Sequence, residues 1–335
     1  MFGRPAAFFL LTILLPAQQE NPPINGITVS THRSGQDWGS DRMADCIEEI
    51  QKVGANWISI HPYASIRRNG EVTWRRFEPE DPPTYLTRPI REAQARGMKI
   101  FIKPHIAYWG SGFGWRGEIT FGTAEQWSRF FRTYESWIVA IAAACKAADG
   151  FAVGTELDLT THREDDWRRI IRRVRAVTDT PLTYAANWTD YQKVEFWDAL
   201  NIIGIQAYFP LTNKKKPTEA DLRAGWKRTM ETLESYSVEQ GRNIVFTELG
   251  YNTAFETAIH PWDHKSDGPA AEPAQLACMR VALRAIADHP RVEGAFLWKW
   301  FPPPTSVGRN FPLATPGMKR TIAGAWLNPG KRGKD

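Results

Sequence analysis

Gly150–Leu157 reads GFAVGTEL and Asn243–Tyr251 reads NIVFTELGY. Each is a short run of apolar, small and β-branched residues that finishes on a threonine and a glutamate. Such runs, bounded by helical stretches, are the strands of βα units. Six more flank them: Gly26–Thr31 (GITVST), Trp57–His61 (WISIH), Lys99–Ile106 (KIFIKPHI), Leu182–Trp188 (LTYAANW), Asn201–Tyr208 (NIIGIQAY) and Gly294–Trp300 (GAFLWKW). Eight strands alternating with helices is the number that closes an α/β barrel, so a single (β/α)₈ TIM barrel is expected.

The intervening segments carry helical period. Between Asp41 and Val53, Met43, Ile47, Ile50 and Val53 recur at spacings of four, three and three, which puts them on one face. Asp41 is placed to cap this helix and Gly54 to end it in a left-handed conformation. From Glu164 to Val177, Arg168, Arg169, Arg172, Arg173 and Arg175 surround Trp167, Ile170, Ile171 and Val174, a solvated outer face over a buried one. Lys214–Lys216 read as an exposed loop, and Gly317–Leu327 as a closing helix after the Pro302–Pro304 stretch. No short repeat or Gly/Ser linker divides the chain, which gives one catalytic domain over 21–330 and a tail at 331–335.

At the N-terminus, Arg4 precedes the apolar run Pro5–Leu15 and then Pro16 and Ala17, the pattern of a secretory signal peptide over 1–17. A run of eleven residues is too short to cross a bilayer, so no membrane span is expected, and a secreted or periplasmic protein is. The 335 residues are 42% hydrophobic, enough for a sizeable core, and a net charge of +5 spread along the chain gives no nucleic-acid patch. Cys46, Cys145 and Cys278 are odd in number and read as buried small hydrophobes rather than a disulfide framework. The seven histidines are scattered, no metal-ligand spacing occurs, and no cofactor is expected. The 15 tryptophans are unusual and suit stacking on an uncharged ring ligand. A monomer is the expectation.

A barrel of this kind does its chemistry at the C-terminal ends of its strands. Glu156 closes the fourth run and Glu248 the seventh, where alternation makes Ile244, Phe246 and Glu248 the inward set. Either glutamate alone reads equally as a cap or an ion-pair partner. Two carboxylates in one cleft push their pKa values apart, one becoming an acid and the other a base or nucleophile, the division that glycoside hydrolysis needs. Other strand ends offer His61, Lys103, His105, Asn187 and Tyr208 as sugar contacts. The competing readings are structural histidines at 61 and 105 and, for Lys103, neutralisation of a barrel carboxylate. Trp298, Trp188, Trp109, Trp115 and Trp262 are candidate stacking platforms, with core packing as their alternative and the better one for Trp137 and Trp226.

An ordered set of fragments carries a family resemblance: IKPHI (Ile102–Ile106), WRGEI (Trp115–Ile119), GTEL (Gly154–Leu157), TYAANW (Thr183–Trp188), IGIQAYFPL (Ile203–Leu211), FTELGY (Phe246–Tyr251), HPW (His260–Trp262) and FLWKW (Phe296–Trp300). In these the chain resembles glycoside hydrolase family 113, whose characterised members are chiefly β-1,4-mannanases of a large retaining (β/α)₈ clan. The resemblance implies Glu156 as acid/base, Glu248 as nucleophile, Tyr208 hydrogen-bonded to the nucleophile and Trp298 as the floor of the −1 subsite. It adds Arg116 to the substrate contacts. Many clan members carry Asn before the acid/base, where this chain has Thr155, so its contact to the sugar 2-hydroxyl must come from elsewhere. The implied reaction is double displacement on a β-1,4-linked glycan, most directly a β-mannan. The rival readings are a β-glycanase of other specificity, exo action, and a non-catalytic carbohydrate-binding barrel. A metal-dependent hydrolase would need a His pair at the end of the first strand, where Thr31 and His32 stand.

Overall fold

The computed structural model describes residues 22–31, 35–78, 80–302 and 310–328. The leader 1–17, His32, Pro303, Pro304 and the tail 331–335 named above lie outside the described residues. In chain order the strands are β1 (Ile24–Val29), β2 (Trp57–Ile60), β3 (Tyr63–Ile66), β4 (Val72–Thr73), β5 (Lys99–Ile102), β6 (His105–Ala107), β7 (Gly150–Thr155), β8 (Leu182–Asn187), β9 (Ile203–Gln206), β10 (Ile244–Leu249) and β11 (Val292–Trp300). The α-helices are α1 (Asp41–Gln51), α2 (Thr84–Gln94), α3 (Ala124–Ala144), α4 (Glu164–Arg175), α5 (Glu219–Gln240), α6 (Glu272–Ala287) and α7 (Pro316–Trp326).

Eight of the strands close a parallel barrel in the order β1, β2, β5, β7, β8, β9, β10, β11, as the eight apolar runs predict. The third run is not one strand. β5 stops at Ile102, Lys103 and Pro104 interrupt it, and β6 resumes beside β3 in a separate three-stranded sheet completed by β4. Pro104 has no N–H to give a ladder, which is why the strand breaks there.

Phe101, Ala152, Val245 and Phe296 fill the barrel toward the N-terminal ends of the strands, with the rings of Phe101 and Phe296 stacked at 4.8 Å. The alternation expected for β10 is therefore displaced by one. Val245 faces the barrel, whereas Phe246 packs outward on Trp226 of α5 at 5.8 Å. Pairing of β10 with β9 skips a residue between Phe246↔Ile205 and Glu248↔Gln206. That bulge turns Glu248 inward although its parity is that of the outward Phe246.

Helix periodicity is borne out. Met43, Cys46, Ile47 and Ile50 are buried on α1, and Gly54 takes φ 91°. The N-cap is Ser40 rather than Asp41, whose carboxylate pairs instead with Arg88 of α2. On α4, Trp167, Ile170, Ile171 and Val174 are buried, and the outer arginines pair with acids, Arg168 with Glu164 and Asp198 and Arg169 with Glu135 and Asp166. Trp137 and Trp226 are core residues, and the three cysteines are free and buried. Among the described residues no helix is long and apolar enough to cross a membrane.

Candidate active site

At the C-terminal mouth of the barrel, Glu248 is buried on β10 and Lys103, fully buried just after β5, donates to its Oε1. Lys103 Nζ also donates to the carbonyl of Thr247 at 3.0 Å and reaches Gln206 Oε1 at 3.5 Å, where Thr247 Oγ1 donates at 2.8 Å. Tyr208 OH donates to the other carboxylate oxygen at 2.7 Å. Burial alone pushes Glu248 up, but the Lys103 charge and the hydrogen bonds from Lys103 and Tyr208 outweigh it and hold the carboxyl below its usual range. Glu248 is thus an anion whose two oxygens are already oriented.

Glu156 follows β7 in the left-handed region at φ 49°, a conformation that costs a non-glycine residue about 1 kcal/mol or more. Its backbone N–H is held by Ala185 O at 2.9 Å, and the next amide, Leu157 N, donates to Tyr184 OH at 2.8 Å. Thus anchored, the turn presents the carboxyl to Arg116, which donates to Glu156 Oε2 at 2.8 Å and to Ile106 O at 3.2 Å. Burial raises Glu156 above the usual carboxyl range, opposed by Arg116 and reinforced by the charge of Glu248. One carboxyl is pushed up and the other held down, the direction of split that acid and nucleophile roles require.

Both carboxyls line one cleft of about 460 Å³. Tyr108, Trp115, Arg116, Asn187, Trp188 and Thr189 form one side of its wall, and Tyr208, Trp262, His264, Trp298 and Phe311 the rest. Trp188 and Trp262 stack at 5.4 Å and 21°, Trp262 being 42% exposed, a flat apolar wall suited to a pyranose. Aromatic faces interleaved with convergent polar groups are the make-up of a small-molecule site.

The sequence model of Glycoside Hydrolase Family 113 matches residues 27–305. The chain belongs to glycoside hydrolase family 113. None of the curated protein sequences matches it. Among solved structures it is similar to a GH113 β-1,4-mannanase in complex form, with 20% identity and a TM-score of 0.79 over 92% of this chain and 99% of that one. It is likewise similar to the GH113 β-mannanase AaManA from Alicyclobacillus acidocaldarius, with 22% identity and a TM-score of 0.78 over 92% and 98%. A family 5 mannosidase from Rhizomucor miehei aligns with 11% identity and a TM-score of 0.64 over 94% and 95%. Likeness at these identities is likeness of fold.

Of the residues singled out from this family 113 sequence, Glu156, Glu248, Tyr208, Trp298, Asn187, Trp188, Trp115, Arg116 and Trp262 all line the cleft. Lys103, His61 and His105 do not line it. They stand one layer behind, 0%, 1% and 1% exposed. Lys103 neutralises the barrel carboxylate, and the His61 and His105 rings lie 5.0 Å apart, at 5.2 and 6.1 Å from Trp298, supporting the floor from beneath. Burial first, then the charges of Lys103, Arg116 and Lys299, keep both imidazoles neutral. Trp109, 67% exposed, faces a different groove beside Tyr63, while its neighbour Tyr108 takes the cleft position. Thr155, the residue before Glu156, turns away and donates to Pro104 O at 3.0 Å.

Several residues escape sequence reading. Thr189, His264 and Phe311 reach the cleft from loops, and Tyr108 from just past the short strand β6, which the sequence does not separate from the third run. Asp158, two residues beyond Glu156, is pushed up to about 8 by burial and then by the charges of Glu156 and Asp190. Its position in GTELDLT was the available clue.

Proposed function

We propose that this glycoside hydrolase is an exported, retaining enzyme acting on β-1,4-mannan or manno-oligosaccharides. The observation that carries the reading is the unequal environment of two carboxyls in one aromatic cleft, Glu248 held as an anion by Lys103 and Tyr208, Glu156 raised by burial. In the first step Glu248 attacks the anomeric carbon of the sugar on Trp298. The bond to the leaving oxygen breaks, and that oxygen takes the proton of Glu156. In the second, Glu156, now an anion paired with Arg116, takes a proton from water; the oxygen of that water displaces Glu248 and restores both carboxyls. Two displacements at one carbon retain its configuration.

The mannan preference draws support from family membership and from the mannanases of similar fold. Export draws support from Arg4 and the apolar run Pro5–Leu15. The test is incubation of the mature chain with β-1,4-manno-oligosaccharides and, in parallel, cello-oligosaccharides, with Glu248→Ala as control. Products are read by chromatography and their first-formed anomer by proton NMR. Cleavage of the manno series to the β-anomer, abolished in the variant, is expected. Cleavage of the cello series alone, or release of the α-anomer first, overturns the substrate or the mechanism respectively. The mass of the exported protein's N-terminus tests removal of the leader.

A further inference from the structure

His264 and Phe311 line the cleft from different loops, yet one buried side chain holds both. Asn252 stands three residues beyond β10, the strand of the nucleophile, and is 1% exposed. Its Nδ2 donates to the carbonyls of Asp263, at 3.4 Å, and of Lys265, the residues on either side of His264. Its Oδ1 accepts the N–H groups of Thr253 and Phe311, each at 2.9 Å. Both donors and both lone pairs of the amide are thereby used. Asp263 tightens the turn further, its Oδ1 accepting Lys265 N–H at 2.9 Å. A fully satisfied buried amide fixes the backbone it touches, here on both sides of one exposed residue.

The His264 ring packs edge-on against Phe311, with ring centres 5.8 Å apart at 83°. Phe311 belongs to the buried cluster of Tyr208 and Trp298, and Tyr208 is the donor to Glu248. The imidazole is thus on the side of the cleft where floor and nucleophile meet, whereas Trp262, two residues earlier, stacks on Trp188. Asn310 Nδ2 lies 3.0 Å from His264 Nδ1. An amide NH₂ can only donate, so Nδ1 accepts and the neutral ring carries its proton on Nε2. Partial burial and then the charge of Lys299 hold the ring below the usual imidazole range, which favours that neutral form. Among the described residues Nε2 has no hydrogen-bond partner. The cleft is therefore lined by a donor whose tautomer and backbone are fixed and whose acceptor is left to a ligand.

We propose that His264, carried on the turn that Asn252 fixes, is a specificity-determining contact whose Nε2–H donates to one hydroxyl of the sugar seated on Trp298. This rests on the reading of the site as a β-glycosidase. A hydroxyl oxygen accepts such a bond without bringing charge into the cleft. The contact separates that hydroxyl from the others of the ring, because a sugar lacking it leaves the donor unmatched in a partly desolvated site.

The test uses 2,4-dinitrophenyl β-mannobioside and its counterparts lacking the 2-, 3- or 6-hydroxyl of the sugar that carries the aryl group. Wild type, His264→Ala and His264→Gln are compared on all four compounds, with thermal melts to confirm folding. On the parent, H264A is expected to lower kcat/KM roughly tenfold. On one deoxy compound, the one lacking the partner hydroxyl, wild type and H264A should perform alike, while the other two repeat the loss seen on the parent. H264Q, whose amide nitrogen stands near the position of Nε2, should keep most of the wild-type rate on the parent. The tautomer is read separately by ¹⁵N NMR of the imidazole, with the proton on Nε2 expected. An equal loss in H264A on the parent and all three deoxy compounds, or none on the parent, overturns the proposal, as does a proton on Nδ1. If wild type cuts none of the four, the β-mannosidase reading itself fails and the proposal with it.

Discussion

The two ends of the barrel are built from the same strands and enclose hollows of nearly equal volume, about 450 Å³ at the N-terminal end and about 460 Å³ at the C-terminal end. Their chemistry is opposite. At the N-terminal end Phe101, Val245 and Phe296 form an apolar plug, and Asp149 and Glu293 are engaged by Ile100 N–H and the Asn243 amide. Two residues further along the same strands stand Lys103, Thr247 and Trp298, which orient and floor the carboxylate. Size therefore does not mark the functional end. What marks it is buried charge that the fold keeps satisfied on one side only, leaving the other side for a substrate. The N-terminal end supplies apolar burial that holds the strands together, and the C-terminal end spends part of that stability on desolvated ions.

This contrast can be broken by substitution at either end. The largest effect is expected for Glu156→Gln, which should lower turnover on unactivated oligosaccharide by roughly 10²-fold to 10⁴-fold and leave the melting temperature nearly unchanged. Steady-state kinetics beside a thermal melt check it, and unaltered turnover would remove Glu156 from the mechanism. Phe296→Ala should do the reverse. It deletes a buried ring of the plug and should cost about 3–5 kcal/mol of stability, read by denaturant unfolding, while kcat of the folded fraction stays close to wild type.

Lys103→Met comes next. Glu248 would lose the charge that most strongly holds it down, its carboxyl would rise, and the acid limb of kcat/KM would move to higher pH. A fall of roughly 10²-fold at pH 6, partly recovered at higher pH, is expected, and an unmoved limb would show that Tyr208 suffices. The smallest effect is that of Arg116→Met. Arg116 lowers Glu156, so its removal should raise that carboxyl further and carry the alkaline limb upward. A downward shift would contradict the ion pair at 2.8 Å.

Much of this was legible in the sequence because apolar runs and helical period report burial, and burial is local in a barrel whose strands follow one another in chain order. Glu156 and Glu248 were legible as carboxylates ending such runs. The small sheet of β3, β4 and β6 was not, since its strands are two to four residues long and pair across loops. Lys103 illustrates the boundary: its alternative reading as a neutraliser was open from the sequence, and only the distance to Glu248 selected it.

By itself, then, the sequence determined the barrel, its eight strands and the two glutamates at their ends, because side-chain size and polarity set which runs can be buried. The tertiary structure decided how those glutamates differ. A bulge in β10 aims Glu248 at Lys103, and a left-handed turn gives Glu156 to Arg116. Electrostatic roles depend on distances between groups 145 and 40 residues apart in the chain, and no local pattern of residues encodes such a distance.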